Sequence, residues 1–161
     1  MIVVADTSVL LNLALVGQIH LLRVLFGTVL IPGAVQAEYE RLAASSGRFA
    51  GLLLPEWVQS RQMRPLPNHD ELLQHLDPGE SEAIALAVEL HADAVLMDES
   101  EGRAVAQSHG LRTIGILGIL IQARHNGHLP AIRPVLEALR DSAKFRLSDT
   151  LVRQALLMCQ E

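Results

Sequence analysis

The chain reads as an α/β protein built on a mainly parallel sheet of about five strands, and three observations predict it. Short runs rich in β-branched and aliphatic residues at 2–5, 28–31, 57–61, 94–97 and 112–115 have the length and composition of buried strands. Longer helical patterns stand between or beside them, at 9–25 with a break at Gly17, 33–45, 78–91, 99–109 and 116–126. Strands that alternate with helices need crossover connections, and crossovers join parallel strands. After Gly127 come two helical segments, 131–141 and 148–159, with no further strand; they either cover the sheet or form a partner surface. The stretch 64–75, with Pro65 and Pro67, is the least regular and reads as a loop followed by a short helix, a candidate mobile segment near the site.

With 161 residues, 50% hydrophobic and 19% charged, the chain suits one compact unit with an ordinary core and has no room for a second full domain. The expected organisation is a single unit over 1–161, with the helical segment 131–161 packed on it. No long linker, internal repeat or low-complexity run interrupts it. A lone cysteine, Cys159, excludes an intramolecular disulfide and a multi-cysteine zinc site, and suits a reducing compartment. The N-terminus is unlike a secretory signal and the apolar runs are too short or interrupted to span a bilayer, so a soluble, cytoplasmic protein with no membrane partner is expected. A net charge of −5 argues against broad, non-specific nucleic-acid binding but leaves room for a local basic rim. Of the 13 basic residues only Lys144 is a lysine; arginine is the side chain suited to bidentate phosphate contacts.

In a parallel α/β sheet the strands' carboxyl ends and the N-termini of the following helices share one edge, where ligands bind. Asp6 follows the first strand and Asp98 the fourth, so both reach that edge. Each has a structural alternative. Asp6 can cap the helix after it, and Asp98 stands at capping-box spacing from Glu101. Asp77-Pro78-Gly79-Glu80 reads as an N-cap, a proline at the first helical position and a capping-box glutamate, which makes Glu80 structural. Glu82 is in line with Ala85 and Leu86 on a helix that is apolar almost all round, where a solvated charge is hard to sustain. Glu38 falls within the stripe of Ala34, Val35 and Leu42; a carboxylate there needs a partner, either an arginine such as Arg41 or Arg103 or a cation held with the other acids.

Four such acids at one edge would repel one another and raise their pKa values unless a cation neutralised them. Oxygen-only ligands point to Mg²⁺ or Mn²⁺ rather than zinc. His125 and His128 make a poor metal pair because Asn126-Gly127 reads as a helix end between them. No Gly-x-Gly-x-x-Gly or Walker loop is present, which argues against nucleotide-cofactor chemistry.

The ordered set resembles the PIN-domain nucleases. It comprises Asp6-Thr7-Ser8, Ile31-Pro32 with Val35 and Glu38, Gly79-Glu80-x-Glu82-Ala83-Ile84 before Ala87, and Val95-Leu96-Met97-Asp98, and it covers most of the chain to about Pro130. A bacterial toxin-like subgroup of type II toxin–antitoxin systems is similar in three segments. These are Gly-Glu-x-Glu-Ala-Ile, Asp-Glu-x-x-Gly-Arg (here Asp98 to Arg103), and Gly-Ile-Leu-Gly-Ile-Leu before an Asn-Gly turn.

The resemblance implies a three-layer α/β/α fold and Mg²⁺-dependent (or Mn²⁺-dependent) RNA cleavage, with Asp6, Glu38, Glu82 and Asp98 as the catalytic, metal-binding quartet. It implies Ser8 as an auxiliary contact and a small antitoxin as partner. Two departures stand out: many PIN nucleases carry aspartate where this chain has the longer Glu82, and the fourth acid is Asp98, Glu99 or Glu101. Arg103 is either a phosphate contact or a structural ion pair. The expected partners are RNA, the antitoxin and a second copy of the chain in a homodimer. The rival reading is a non-catalytic PIN-like module that binds RNA or protein. A phosphotransfer enzyme fares worse, because it would want a second aspartate where Ser8 stands and a well-placed lysine, whereas Lys144 lies in the helical tail.

Overall fold

The computed structural model describes residues 1–64 and 71–161, of Glu71 and Leu72 the backbone alone. Five strands form one sheet: β1 (Val3–Ala5), β2 (Val29–Ile31), β3 (Val58–Ser60), β4 (Ala94–Leu96) and β5 (Thr113–Ile114). Their order is β3-β2-β1-β4-β5 and every pairing is parallel. The helices are α1 (Thr7–Leu15), α2 (His20–Phe26), α3 (Gly33–Ala44), α4 (Glu71–Gln74), α5 (Pro78–Glu89), α6 (Ser100–Ser108), α7 (Ile116–His125), α8 (Arg133–Asp141) and α9 (Asp149–Met158).

The parallel sheet and each strand read from the sequence are therefore present, with ends trimmed by a residue or two. The break at Gly17 separates α1 from α2: its φ of +74° lies in the left-handed region that glycine enters without a Cβ penalty and that ends a helix. The short helix expected within 64–75 is met by α4, while residues 65–70, and with them the loop and the mobile segment expected there, lie outside the described residues.

Strand side chains alternate between two layers of core because the pleat has a period of two. Val3, Ala5, Val29, Ile31, Ala94 and Leu96 face the larger core, shared with α1, α2, α3 and α7 and closed by Leu139 of α8 and Ala155 of α9. Val4, Leu30, Val95 and Met97 face the smaller core with Ile84, Leu86 and Ala87 of α5 and Val105 and Ala106 of α6. Helices on both faces of one parallel sheet make a three-layer α/β/α architecture, and near-continuous apolar strands are what burial on both faces demands. Among the described residues no helix is long and apolar enough to cross a membrane.

The strand order positions the site. From β1 the chain moves outward through β2 to β3, then returns to the other side of β1 for β4 and β5. Direction reverses between β1 and β4, so the connections leaving their carboxyl ends diverge and open a crevice there. Asp6 and Asp98 are the residues next to and just beyond those two strand ends.

Candidate active site

Asp6 is at the centre of the crevice. It leaves β1 with its amide bonded to the Leu96 carbonyl of β4 at 2.9 Å, and its side chain caps α1, with Oδ1 accepting from the Thr7 amide at 2.8 Å. The capping alternative is thus real, yet it uses one oxygen of a side chain only 5% exposed. Burial foremost, and then the negative charge of Asp77, Glu38 and Asp98, pushes the Asp6 carboxyl up to about 7; the Thr7 hydrogen bond opposes that rise.

The flank of the site toward α3 and α5 is crowded with acids. A Cβ placed on Gly79 would lie 3.2 Å from Glu38 Oε2, 3.4 Å from Asp6 Oδ1 and 3.4 Å from Asp77 Oδ1, so three carboxylates face the space this glycine leaves open. Asp77 caps α5 as expected, with Oδ1 accepting from the Glu80 amide at 2.8 Å, and Glu80 in return accepts from the Asp77 backbone. Glu80 is nevertheless more than a cap. It is buried, beside Gly102 of α6, and burial together with Asp77, Asp6 and Glu99 pushes its carboxyl up to about 7.

Glu82 is three residues beyond Gly79 on the same face of α5, with its side chain inclined toward the helix N-terminus. Its Oε1 stands 3.4 Å from the Ala34 amide at the start of α3, where no side chain from Pro32 caps the helix and the dipole favours negative charge. The ion pair considered for Glu38 does not form. Among the described residues no arginine or lysine nitrogen comes within 4.0 Å of Asp6, Glu38, Glu80, Glu82 or Asp98.

The other flank holds one acid and one base. Asp98 does not cap the helix that follows it, whose N-cap is Glu99. It reaches instead to α7, where Oδ1 accepts from the Ile116 amide at 3.0 Å, while Oδ2 is buried without a hydrogen-bond partner among the described residues. Burial pushes Asp98 up to about 6, against the lowering influence of the Ile116 bond and the Arg103 charge. Arg103 Nη1 donates a long bond to the Met97 carbonyl at 3.4 Å. A Cβ on Gly115 would stand 2.6 Å from that Nη1 and 2.7 Å from Asp98 Oδ1, so only glycine lets both polar groups lie over this turn.

Ser8 is half-buried in the first turn of α1, its carbonyl accepting from Asn12 Nδ2 at 2.8 Å. Glu99 and Glu101 are both exposed at the start of α6; of the two, Glu99 is close enough to act on the Glu80 charge. The fold therefore brings Glu38 and Asp98 near enough to Asp6 for their charges to act on it, with Glu82 on the adjoining turn. Asp77 and Gly79 are the members that sequence reading missed. A signal existed in the glycine: one in the first turn of a helix costs about 1 kcal/mol against alanine, and the capping reading of this segment gives it no reason to be there.

A family model described as a PIN domain, DUF3368, matches residues 2–161. The chain belongs to the PIN-domain family. No match is found among curated proteins or among solved structures. PIN domains are in general nucleases that use divalent metals, so the family gives the acidic crevice its coarse meaning.

The fit of a divalent ion rests on this PIN domain's own donors. They are oxygens, hard ligands suited to Mg²⁺ or Mn²⁺, and one of them, Asp98 Oδ2, is buried and unsatisfied. As they stand, no three His, Cys, Asp or Glu side chains among the described residues are arranged to chelate a single ion. The chemistry of the set suits the ion, and closing on it requires side-chain rotation.

Proposed function

We propose that this PIN domain is a metal-dependent endoribonuclease that hydrolyses RNA phosphodiester bonds with Mg²⁺ or Mn²⁺. The observation that carries the reading is the state of Asp6: a buried carboxylate among Asp77, Glu38 and Asp98, with no arginine or lysine beside it among the described residues. Such a cluster is destabilising when ionised, and a divalent cation removes the penalty by binding. Asp6, Glu38, Glu82 and Asp98 are the residues that would hold it. The bound ion supplies Lewis-acid activation of water and of the scissile phosphate.

The remaining work belongs to the chain. Asp6 Oδ1 accepts from the Thr7 amide of α1 while facing the space above Gly79, so the direction of the carboxylate is fixed before substrate arrives. The Ile116 amide orients Asp98 in the same manner. Arg103, beside Asp98 and unpaired with any carboxylate among the described residues, is placed to meet a phosphate oxygen, and Ser8 in the first turn of α1 can donate to another. Water attacks phosphorus, the bond to the leaving oxygen breaks, and a proton must reach that oxygen. Glu80, outside the ligand set and raised to about 7 by burial, is suited to proton traffic at physiological pH.

In the cell, the proposed setting is a cytoplasmic toxin whose acidic crevice is blocked by a small antitoxin, with a homodimer as the working assembly. A short neighbouring reading frame would support that setting over a housekeeping nuclease.

The deciding experiment is cleavage of mixed RNA substrates by pure protein, with and without Mg²⁺ or Mn²⁺, with Asp6→Asn alongside. Cleavage that requires metal and disappears in Asp6→Asn is expected; undiminished cleavage by Asp6→Asn would show the assignment to be wrong. One observation favours a second reading, a non-catalytic RNA- or protein-binding module: no three-ligand chelate is preformed among the described residues. Wild-type protein that binds RNA or a partner but never cleaves with either metal would establish it.

A further inference from the structure

A cleft of about 690 Å³ begins at Asp98 and runs away from the acids, between α6 and β5 on one side and the segment leading into α9 on the other. Its charged side chains are Arg103, Arg112 and Arg146 against the single carboxylate of Asp98, so it is a basic channel on a chain whose net charge is −5. Arg112 and Arg146 are exposed, and among the described residues neither guanidinium has an ion-pair or hydrogen-bond partner. Phe145, half-buried and packed on the larger core, lines the same cleft, with Gln107 and Gln122 also in the lining. Phe145 thus meets the core and the cleft at once, an aromatic side chain anchored by packing.

Unpaired arginines and an anchored aromatic ring in one cleft are the components of a single-strand binding track: guanidinium groups take phosphates and the ring takes an unpaired base. Duplex RNA would present its phosphates but keep its bases stacked on one another, and so forfeit the ring. We infer that this cleft holds one strand of single-stranded RNA on its way from the acidic crevice, with phosphates on Arg103, Arg112 and Arg146 and a base stacked on Phe145. The inference rests on the nuclease reading for the identity of the ligand. It adds that Arg112 and the C-terminal segment with Phe145 and Arg146, all outside the acid set, contribute to binding.

The test is the affinity of full-length protein carrying Asp6→Asn for a short fluorescent single-stranded oligoribonucleotide and for the same sequence in a duplex, repeated with wild-type protein in EDTA. Single-strand binding is expected to exceed duplex binding by about ten-fold, as stacking on the ring is lost. Arg112→Ala and Arg146→Ala should each weaken single-strand binding about five-fold and lower its dependence on log salt concentration by about 0.7. Phe145→Leu, which retains an apolar side chain against the core, should weaken it by a similar factor. Arg23→Ala, an exposed arginine on α2 outside the cleft, should leave it unchanged.

The inference is overturned if neither protein binds the single strand, if the duplex binds as well, or if the Arg112 and Arg146 variants bind like their parent, as they would if another molecule occupied the cleft. Wild-type cleavage measured in parallel separates the two claims. Cleavage with binding indifferent to the cleft variants removes only the track, whereas cleft-dependent binding without metal-dependent cleavage removes only the nuclease.

Discussion

The two flanks of Asp6 solve the problem of a buried carboxylate in different ways. Toward α3 and α5, Glu38 and Asp77 are set around the space above Gly79 with no arginine or lysine within 4.0 Å among the described residues, and their repulsion is carried by the fold. Toward α6 and α7, Asp98 is alone and partly compensated by a helix N-terminus and by Arg103. The first arrangement gains most from a cation that arrives later, while the second can bind an anion and a cation side by side. Together they suit a site that must hold metal on one side and phosphate on the other, and four measurements sharpen or break that contrast.

The largest effect belongs to the residue both flanks share. Asp6→Asn keeps the carbonyl that caps α1 but loses the charge, so metal-dependent cleavage should fall by at least about 100-fold. The same substitution should stabilise the metal-free protein at pH 8, on the order of 2 kcal/mol, because an ionised buried acid has been removed. Urea denaturation with chelator reads the second effect, and a loss of stability there would contradict the account of Asp6 as a strained group.

Next comes pH. Asp6 and Glu80 are raised to about 7 and Asp98 to about 6, all above ordinary unfolded values. A raised acid favours folding while protonated. The stability is therefore fully present below pH 4 and is lost as pH rises through 6 and 7. Metal-free protein should lose a few kcal/mol between pH 5 and pH 8, and saturating Mn²⁺ should flatten the curve; a melting temperature indifferent to pH over that window would break the comparison.

Gly79→Ala acts on the crowded flank alone. It should add about 1 kcal/mol of helix propensity to α5, yet its methyl presses on Glu38, Asp6 and Asp77 and should weaken metal affinity about ten-fold, as calorimetry would record. An equal loss of stability and affinity would mean that the glycine serves packing only. The smallest effect is expected at Glu82. Removing its long contact to the Ala34 amide by Glu82→Ala should cost about 0.5–1 kcal/mol of stability. Comparing metal affinity in Glu82→Gln, which keeps an acceptor oxygen for that amide, then separates the helix-capping role from ligation.

The legibility of these features followed the range of the interaction. Strand positions, the α1–α2 break and the cap at Asp77 were readable because each depends on a few neighbouring residues: apolar runs, a glycine, an Asp-Pro pair. Glu38 and Glu82 were flagged because an apolar helix face gives a charge no solvent. The destination of Asp98 was not legible, since a capping box with Glu101 and a bond to Ile116 are equally compatible with local sequence, and only the adjacency of β4 and β5 selects the second. Asp77 is the opposite case: capping α5 accounts for it within its own segment, and only the approach of Glu38 and Asp6 gives it a tertiary role.

An α/β chain with acids at the strands' carboxyl edge follows from local order alone, because period, propensity and topology rules act within a segment or between successive ones. The tertiary structure decided which acids share a neighbourhood, which of their oxygens remain unsatisfied, and that an arginine-lined cleft leaves the site toward the C-terminal segment. Those are properties of distance and desolvation between elements remote in the chain, and electrostatic energy depends on both in ways that spacing along a sequence does not encode.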